Sequence, residues 1–181
     1  MLYPPGETLS PMEPADGELF KYRLQGGYIF LHRRPSLVAT VLGSGVAVAM
    51  WDKALLYGGM ANYLYPVTKN PAEASTRFGN VAIRYLFKLM IAEGSKRENI
   101  QAQIFGGATS NDASCREMAE ENIKIADELL ARLEIEVVSR DVGGQMGRKV
   151  VLNTLKNEAV VYKVERIRMS DWYPYEGRED R

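Results

Sequence analysis

The 181-residue chain carries 23 basic and 23 acidic residues, for a formal net charge of zero. That balance supplies no field to favour nucleic acid or an anionic membrane surface, and 20.3 kDa is most simply one domain with its own core. A single cysteine, Cys115, excludes an internal disulfide, and one Cys with one His speaks against a Cys/His metal site, so no cofactor is expected.

The chain opens on prolines and acidic residues rather than a basic region and an apolar core, and no apolar run approaches a membrane span. A soluble cytoplasmic protein is the default expectation. Met1 to Gly27 reads as an extension, because Pro4, Pro5, Pro11 and Pro14, with Gly6 and Gly17, oppose a regular helix or central strand. A core domain is read from Tyr28 to Val164. Tyr28-Ile29-Phe30-Leu31 is a short strand, followed by the basic link His32-Arg33-Arg34-Pro35. His32, the only histidine, reads as an exposed strand-end residue beside two arginines, not as a general base.

Leu37–Val48, LVATVLGSGVAV, is the stretch around which the rest is arranged. A β-branched apolar run stops at Gly43-Ser44-Gly45, and a second run resumes with alternate spacing, which predicts strand, tight turn, strand. Taken alone, that pattern is a hairpin. Val46 to Trp51 and Leu55 to Met60 are read as strands joined at Asp52-Lys53, with Asn62 just beyond the second. Asn80 to Glu93 is predicted helical, with Val81, Tyr85, Leu86, Leu89 and Met90 on one face and Gly94 as its stop. Ile100 to Phe105 is a strand. Ser114 to Leu133 is a helix with Ser114 and Glu117 spaced as a capping box, an apolar stripe of Met118, Ile125, Ala126, Leu129 and Leu133, and a solvated charged face. Cys115 falls in its first turn, where a thiol pKa is lowered, and reads as structural. Ile135 to Ser139, Lys149 to Leu152 and Ala159 to Val164 complete the strands. Strands and helices are interspersed, which predicts an α/β or α+β layered domain. Glu165 to Arg181 is a charged tail carrying Trp172, Tyr173 and Tyr175, an aromatic set that reads as an anchor docking in a groove, on a partner or, preferably, back on the domain itself.

LVATVLGSG followed by VAVAMWD resembles the CheD family of chemoreceptor glutamine deamidases, whose turn reads T-x-L-G-S-C or T-x-G-L-G-S-C. Gly58-Gly59-Met60-Ala61-Asn62 with Pro66 is similar to the family's G-G/A-M-x-H segment, and Arg77-Phe78-Gly79-Asn80 to its R-Y-G-D/N segment. Ile104-Phe105-Gly106-Gly107-Ala108 is similar to its F-G-G-A strand end, and Asp141 to Val150 to its D-x-G-G-x-x-G-R-K-V segment. The resemblance covers about Tyr28 to Val164 and implies a β-sheet core flanked by helices, like that of toxin deamidases.

The resemblance also implies a cysteine nucleophile, a histidine base and an orienting threonine. Here the cysteine position is Gly45, the histidine position is Asn62, and the threonine falls on Ala39 with Thr40 adjacent. Attack on a carboxamide needs a nucleophile, a base and oxyanion donors. Only the donors are left: the turn amides of Gly43, Ser44 and Gly45, with Asn62 to hold an amide. The expectation is therefore a family member without deamidase activity that acts by binding. The partners implied are methyl-accepting chemoreceptor cytoplasmic helices or a CheC-like phosphatase, with no nucleic acid and no membrane insertion. The alternative is an active protein-glutamine deamidase using a displaced nucleophile, Cys115 or Ser44.

Overall fold

The computed structural model describes residues 19–109, 113–167 and 171. Residues 1–18 and the aromatic residues from Trp172 onward lie outside the described residues. Among the described residues, nine strands and two α-helices follow in chain order: β1 (Phe20–Leu24), β2 (Tyr28–His32), β3 (Ser36–Leu42), β4 (Val46–Asp52), β5 (Tyr57–Tyr63), α1 (Gly79–Ala92), β6 (Ile100–Gly106), α2 (Ala113–Arg132), β7 (Glu136–Val142), β8 (Gly147–Asn153) and β9 (Glu158–Val164).

The strands form two sheets, one ordered β1-β3-β8-β9 and the other β2-β5-β4-β6-β7. The inner face of the first sheet (Val38, Leu42, Val150, Leu152) packs on Phe30, Ala47, Ala49, Met60 and Phe105 of the second. The opposite face of the second sheet (Val46, Val48, Met50, Ala61, Ile104) packs on Ile83, Leu86 and Met90 of α1 and Ala126, Leu129 and Leu130 of α2. The domain is thus an α+β stack of sheet, sheet and helices. β4 is covered on both sides, which is why VAVAMWD reads as a near-continuous apolar run. Removing a side chain such as Leu86 from this interior costs about 2–5 kcal/mol.

Several local expectations shift. β3 pairs with β1 and β8, while β4 pairs with β5 and β6, so Gly43-Ser44-Gly45 is a crossover between sheets and not a hairpin turn. The stretch read as an extension enters the fold: Phe20–Leu24 is an edge strand parallel to β3, beyond the last of the early prolines. β5 runs to Tyr63, which places Asn62 inside a fully buried strand. The buried stripe of α1 is Ala82, Ile83, Leu86 and Met90, and Tyr85 points outward at 47% exposure. α2 starts at Ala113, so Ser114 is a helical residue and not the cap.

Tyr63 ties the layers together at the site end of the second sheet. It is fully buried, and its hydroxyl donates to the Asn122 carbonyl on α2 at 2.6 Å. Burial, and secondarily the Asp127 carboxylate, holds the phenol well above its ordinary pKa. Below about pH 10 the group is neutral in both states and its contribution is intact. Above that, the unfolded chain releases the proton first. Stability then falls by about 1.4 kcal/mol per pH unit until the folded group ionises too. In urea titrations from about pH 9 to about pH 11, Tyr63→Phe therefore shows a shallower alkaline loss than the parent, on top of a pH-independent cost of about 1 kcal/mol for the lost hydrogen bond. Parallel alkaline slopes for the two proteins would contradict it.

Candidate functional site

Three glycine-containing segments, far apart in sequence, meet at one end of the two sheets. The Gly43-Ser44-Gly45 crossover offers three carbonyls in a row. Ala108 N–H donates to Gly43 O at 2.8 Å, Gly107 N–H to Gly45 O at 2.9 Å, and the Asn122 amide nitrogen to Ser44 O at 3.0 Å. The same Asn122 nitrogen donates to Leu64 O at 3.0 Å, fastening the turn to the end of β5. Gly106 and Gly107, at φ +109° and +66°, make the bend that aims these donors, a conformation natural to glycine.

The third segment closes the group from the β7–β8 side. Gly143 N–H donates to Gly106 O, and Thr109 N–H to Gly144 O. Arg148, 2% exposed, fixes this loop from within. Its guanidinium donates to Asp141 Oδ1 at 2.8 and 2.9 Å, to Gly143 O at 2.8 Å and to Met146 O at 3.0 Å.

The backbone around Gly45 is tight. A Cβ built there would fall 2.8 Å from the Tyr63 carbonyl oxygen, and one on Gly106 would fall 2.4 Å from Gly45 O. No side chain enters either position without main-chain movement.

Asn62 sits opposite Ala47, two residues along from Gly45, so the turn and Asn62 share one end of the second sheet. Its side chain crosses to the first sheet, where its amide nitrogen donates to Thr40 Oγ1 at 2.8 Å and Thr40 in turn donates to Leu24 O at 2.7 Å. Because the Thr40 proton goes to Leu24, Thr40 can only accept from Asn62, which fixes the amide's orientation. Asn62 Oδ1 is buried with no hydrogen-bond partner. Of the two threonine candidates, only Thr40 points inward, and Ala39 lies on the outer side of β3 by the strand's alternation.

The other candidates lie elsewhere. His32 pairs with Gly58 at the far end of β5, about 13 Å of strand from Asn62, and its Nδ1 accepts from Arg34 N–H. Cys115 is half-buried in the first turn of α2, about 10 Å of helix before Asn122. Gly43 and Ser44 are partly exposed. A cavity of about 340 Å³ lies along α1 between Thr68 and Lys88, and neither it nor the smaller one beside α2 includes the turn or Asn62. Among the described residues no cluster of His, Cys, Asp and Glu can hold a metal, and no helix is long and apolar enough to cross a membrane. Sequence reasoning missed Asn122, which sits in a helix dominated by charge. Its one signal is position: it is four residues before Ala126 and so on the buried stripe.

Residues 65–163 match the family model described as CheD chemotactic sensory transduction. A probable chemoreceptor glutamine deamidase CheD of Sulfurimonas denitrificans is 36% identical over 82% of this chain and 97% of its own length. A namesake from Trichlorobacter lovleyi is 34% identical over 80% of this chain and 91% of its own length. A CheD 1 protein of Anaeromyxobacter dehalogenans is 37% identical over 82% and 84%. A match over 82% of the chain does not fit between Tyr65 and the C-terminus, so it takes in the crossover and Asn62 as well. By its matched residues and by these relatives, the chain belongs to the CheD family.

Proposed function

We propose that this CheD-type chemotaxis protein acts by binding and not by deamidation, using the Gly43-Ser44-Gly45 turn to hold a carboxamide that it does not hydrolyse. The observation that carries the reading is the packing at Gly45. The position of the family's nucleophile has no side chain, and a Cβ there would meet the Tyr63 carbonyl at 2.8 Å. Covalent deamidation needs an attacking atom at the amide carbon, a base to take its proton and an acid to release ammonia. Asn62 stands at the base position and donates to Thr40, and an amide takes up no proton near neutral pH. Against a displaced nucleophile, His32 lies at the far end of β5, Cys115 lies about two helical turns before Asn122, and no base contacts Ser44 among the described residues. With the three turn carbonyls held by Gly107, Ala108 and Asn122, the amides of Gly43, Ser44 and Gly45 and the Ser44 hydroxyl are its remaining hydrogen-bonding groups. Such donors suit a carbonyl oxygen.

The partners this reading implies are chemoreceptor cytoplasmic helices, whose glutamines offer the carboxamide, or a CheC-like phosphatase on the same surface, both in the cytoplasm. Incubated with receptor cytoplasmic fragments, the protein is expected to retain them on a pull-down while intact-mass spectrometry shows no amide-to-acid change. Rapid conversion of glutamine to glutamate would overturn the reading. A second outcome follows from the packing. Gly45→Cys lowers thermal stability by about 1–3 kcal/mol, as overpacking does, and yields no deamidation. An unshifted melting temperature together with new deamidase activity would show that the turn accommodates the thiol.

A further inference from the structure

Both helices pack on the second sheet, and neither belongs to the core on the first. The outer face of the first sheet nevertheless carries apolar side chains. By the alternation that turns Val38, Val150 and Leu152 inward, Leu37, Val41, Val151, Val160 and Tyr162 face outward. Val160 and Tyr162 are 51% and 59% exposed, whereas Val41 is 9% exposed, so part of this face is already covered.

The described residues beyond β9 show what lies there. Ile167 sits over the β3 and β8 ends of the crossover: a Cβ on Gly147 would come 2.6 Å from its Cδ1, and one on Gly43 3.8 Å. Asp171 is seated farther across the same face. Its carboxylate takes an ion pair from Lys149 at 2.5 Å, and its carbonyl accepts from Arg23 at 3.1 Å. Lys149 pairs with the outward Val41, and Arg23 with Ala39, so the chain after β9 returns over β8 and β3 to β1. The sequence that follows Asp171 is Trp172-Tyr173-Pro174-Tyr175. Those aromatic residues match the apolar character of the face, and residues 176–181, with three acidic and two basic side chains, carry a net charge of −1 to set against the basic edge at Lys21 and Arg23.

We propose that the occupant of this face is the chain's own C-terminal segment, residues 172–181. The segment is then anchored at Asp171 by Lys149 and Arg23, with its aromatic residues against the apolar outer face of the first sheet. The docking stands independently of what the turn binds.

The chain has two tryptophans, Trp51 and Trp172, so Trp51→Phe in the full-length protein leaves Trp172 as sole reporter. Its emission is expected to be blue-shifted and its acrylamide quenching several-fold weaker than for free tryptophan, at every protein concentration. Adding Arg23→Glu and Lys149→Glu is expected to abolish that protection. Trp172 that emits and quenches like the free amino acid overturns the proposal, and so does protection that appears only as concentration rises, which assigns the face to a second copy. With Trp51 retained, Trp172→Ser, Tyr173→Ser and Tyr175→Ser together are expected to raise binding of a hydrophobic dye several-fold, and unchanged dye binding also overturns it.

Discussion

The close approach of main chain to main chain at Gly45 governs this molecule. The crossover from the first sheet to the second is three residues long, and its carbonyls receive donors from the end of β6 and from α2. Each such bond contributes about 1 kcal/mol net, but leaving one of these buried carbonyls unpaired costs about 1–3 kcal/mol. The bonds form only because the segments come within hydrogen-bond distance, and they come that close because no Cβ intervenes at Gly45 or Gly106. Any side chain at Gly45 would have to displace the Tyr63 carbonyl that this packing brings close.

Chemistry follows from that geometry. A site built to attack a carboxamide keeps its reactive groups adjacent, one holding a proton acceptor ready for the other. Here Gly45 and Asn62 lie adjacent, two residues apart in cross-strand register. One is a glycine wedged against Tyr63. The other is an amide engaged in an inward chain, Asn62 to Thr40 to Leu24, that stitches the two sheets together. Asn62 therefore serves the interior of the sandwich, as Arg148 does behind the β7–β8 loop.

What could be read from the sequence was what is local or ordered. The glycine segments fall in family order, β4 announces its burial on both sides by its apolar run, and the strands from Tyr28 onward lie within a few residues of their expected places. What escaped depends on long-range pairing. Strand, turn and strand look alike whether the second strand folds back on the first or crosses to another layer, so the pattern at Gly43–Gly45 taken alone does not separate a hairpin from a crossover. The prolines at positions 4 to 14 were allowed to speak for Phe20–Leu24, which lies past them and pairs with β3. Choosing Thr40 over Ala39 needed the phase of β3, which only its neighbours fix. Asn122 was hidden because its burial comes from what α2 leans on, not from its own polarity.

The central claim, a turn that grips a carboxamide and cannot cleave it, is tested most directly by one titration. A receptor-derived glutamine peptide labelled with nitrogen-15 in its side-chain amide is added to the nitrogen-15-labelled protein, and both sets of amide resonances are followed by NMR. The account predicts saturable shifts of the Gly43, Ser44 and Gly45 amides while the peptide's side-chain amide signal persists undiminished. Turn amides that do not respond, or a side-chain signal that decays as ammonium appears, would contradict it.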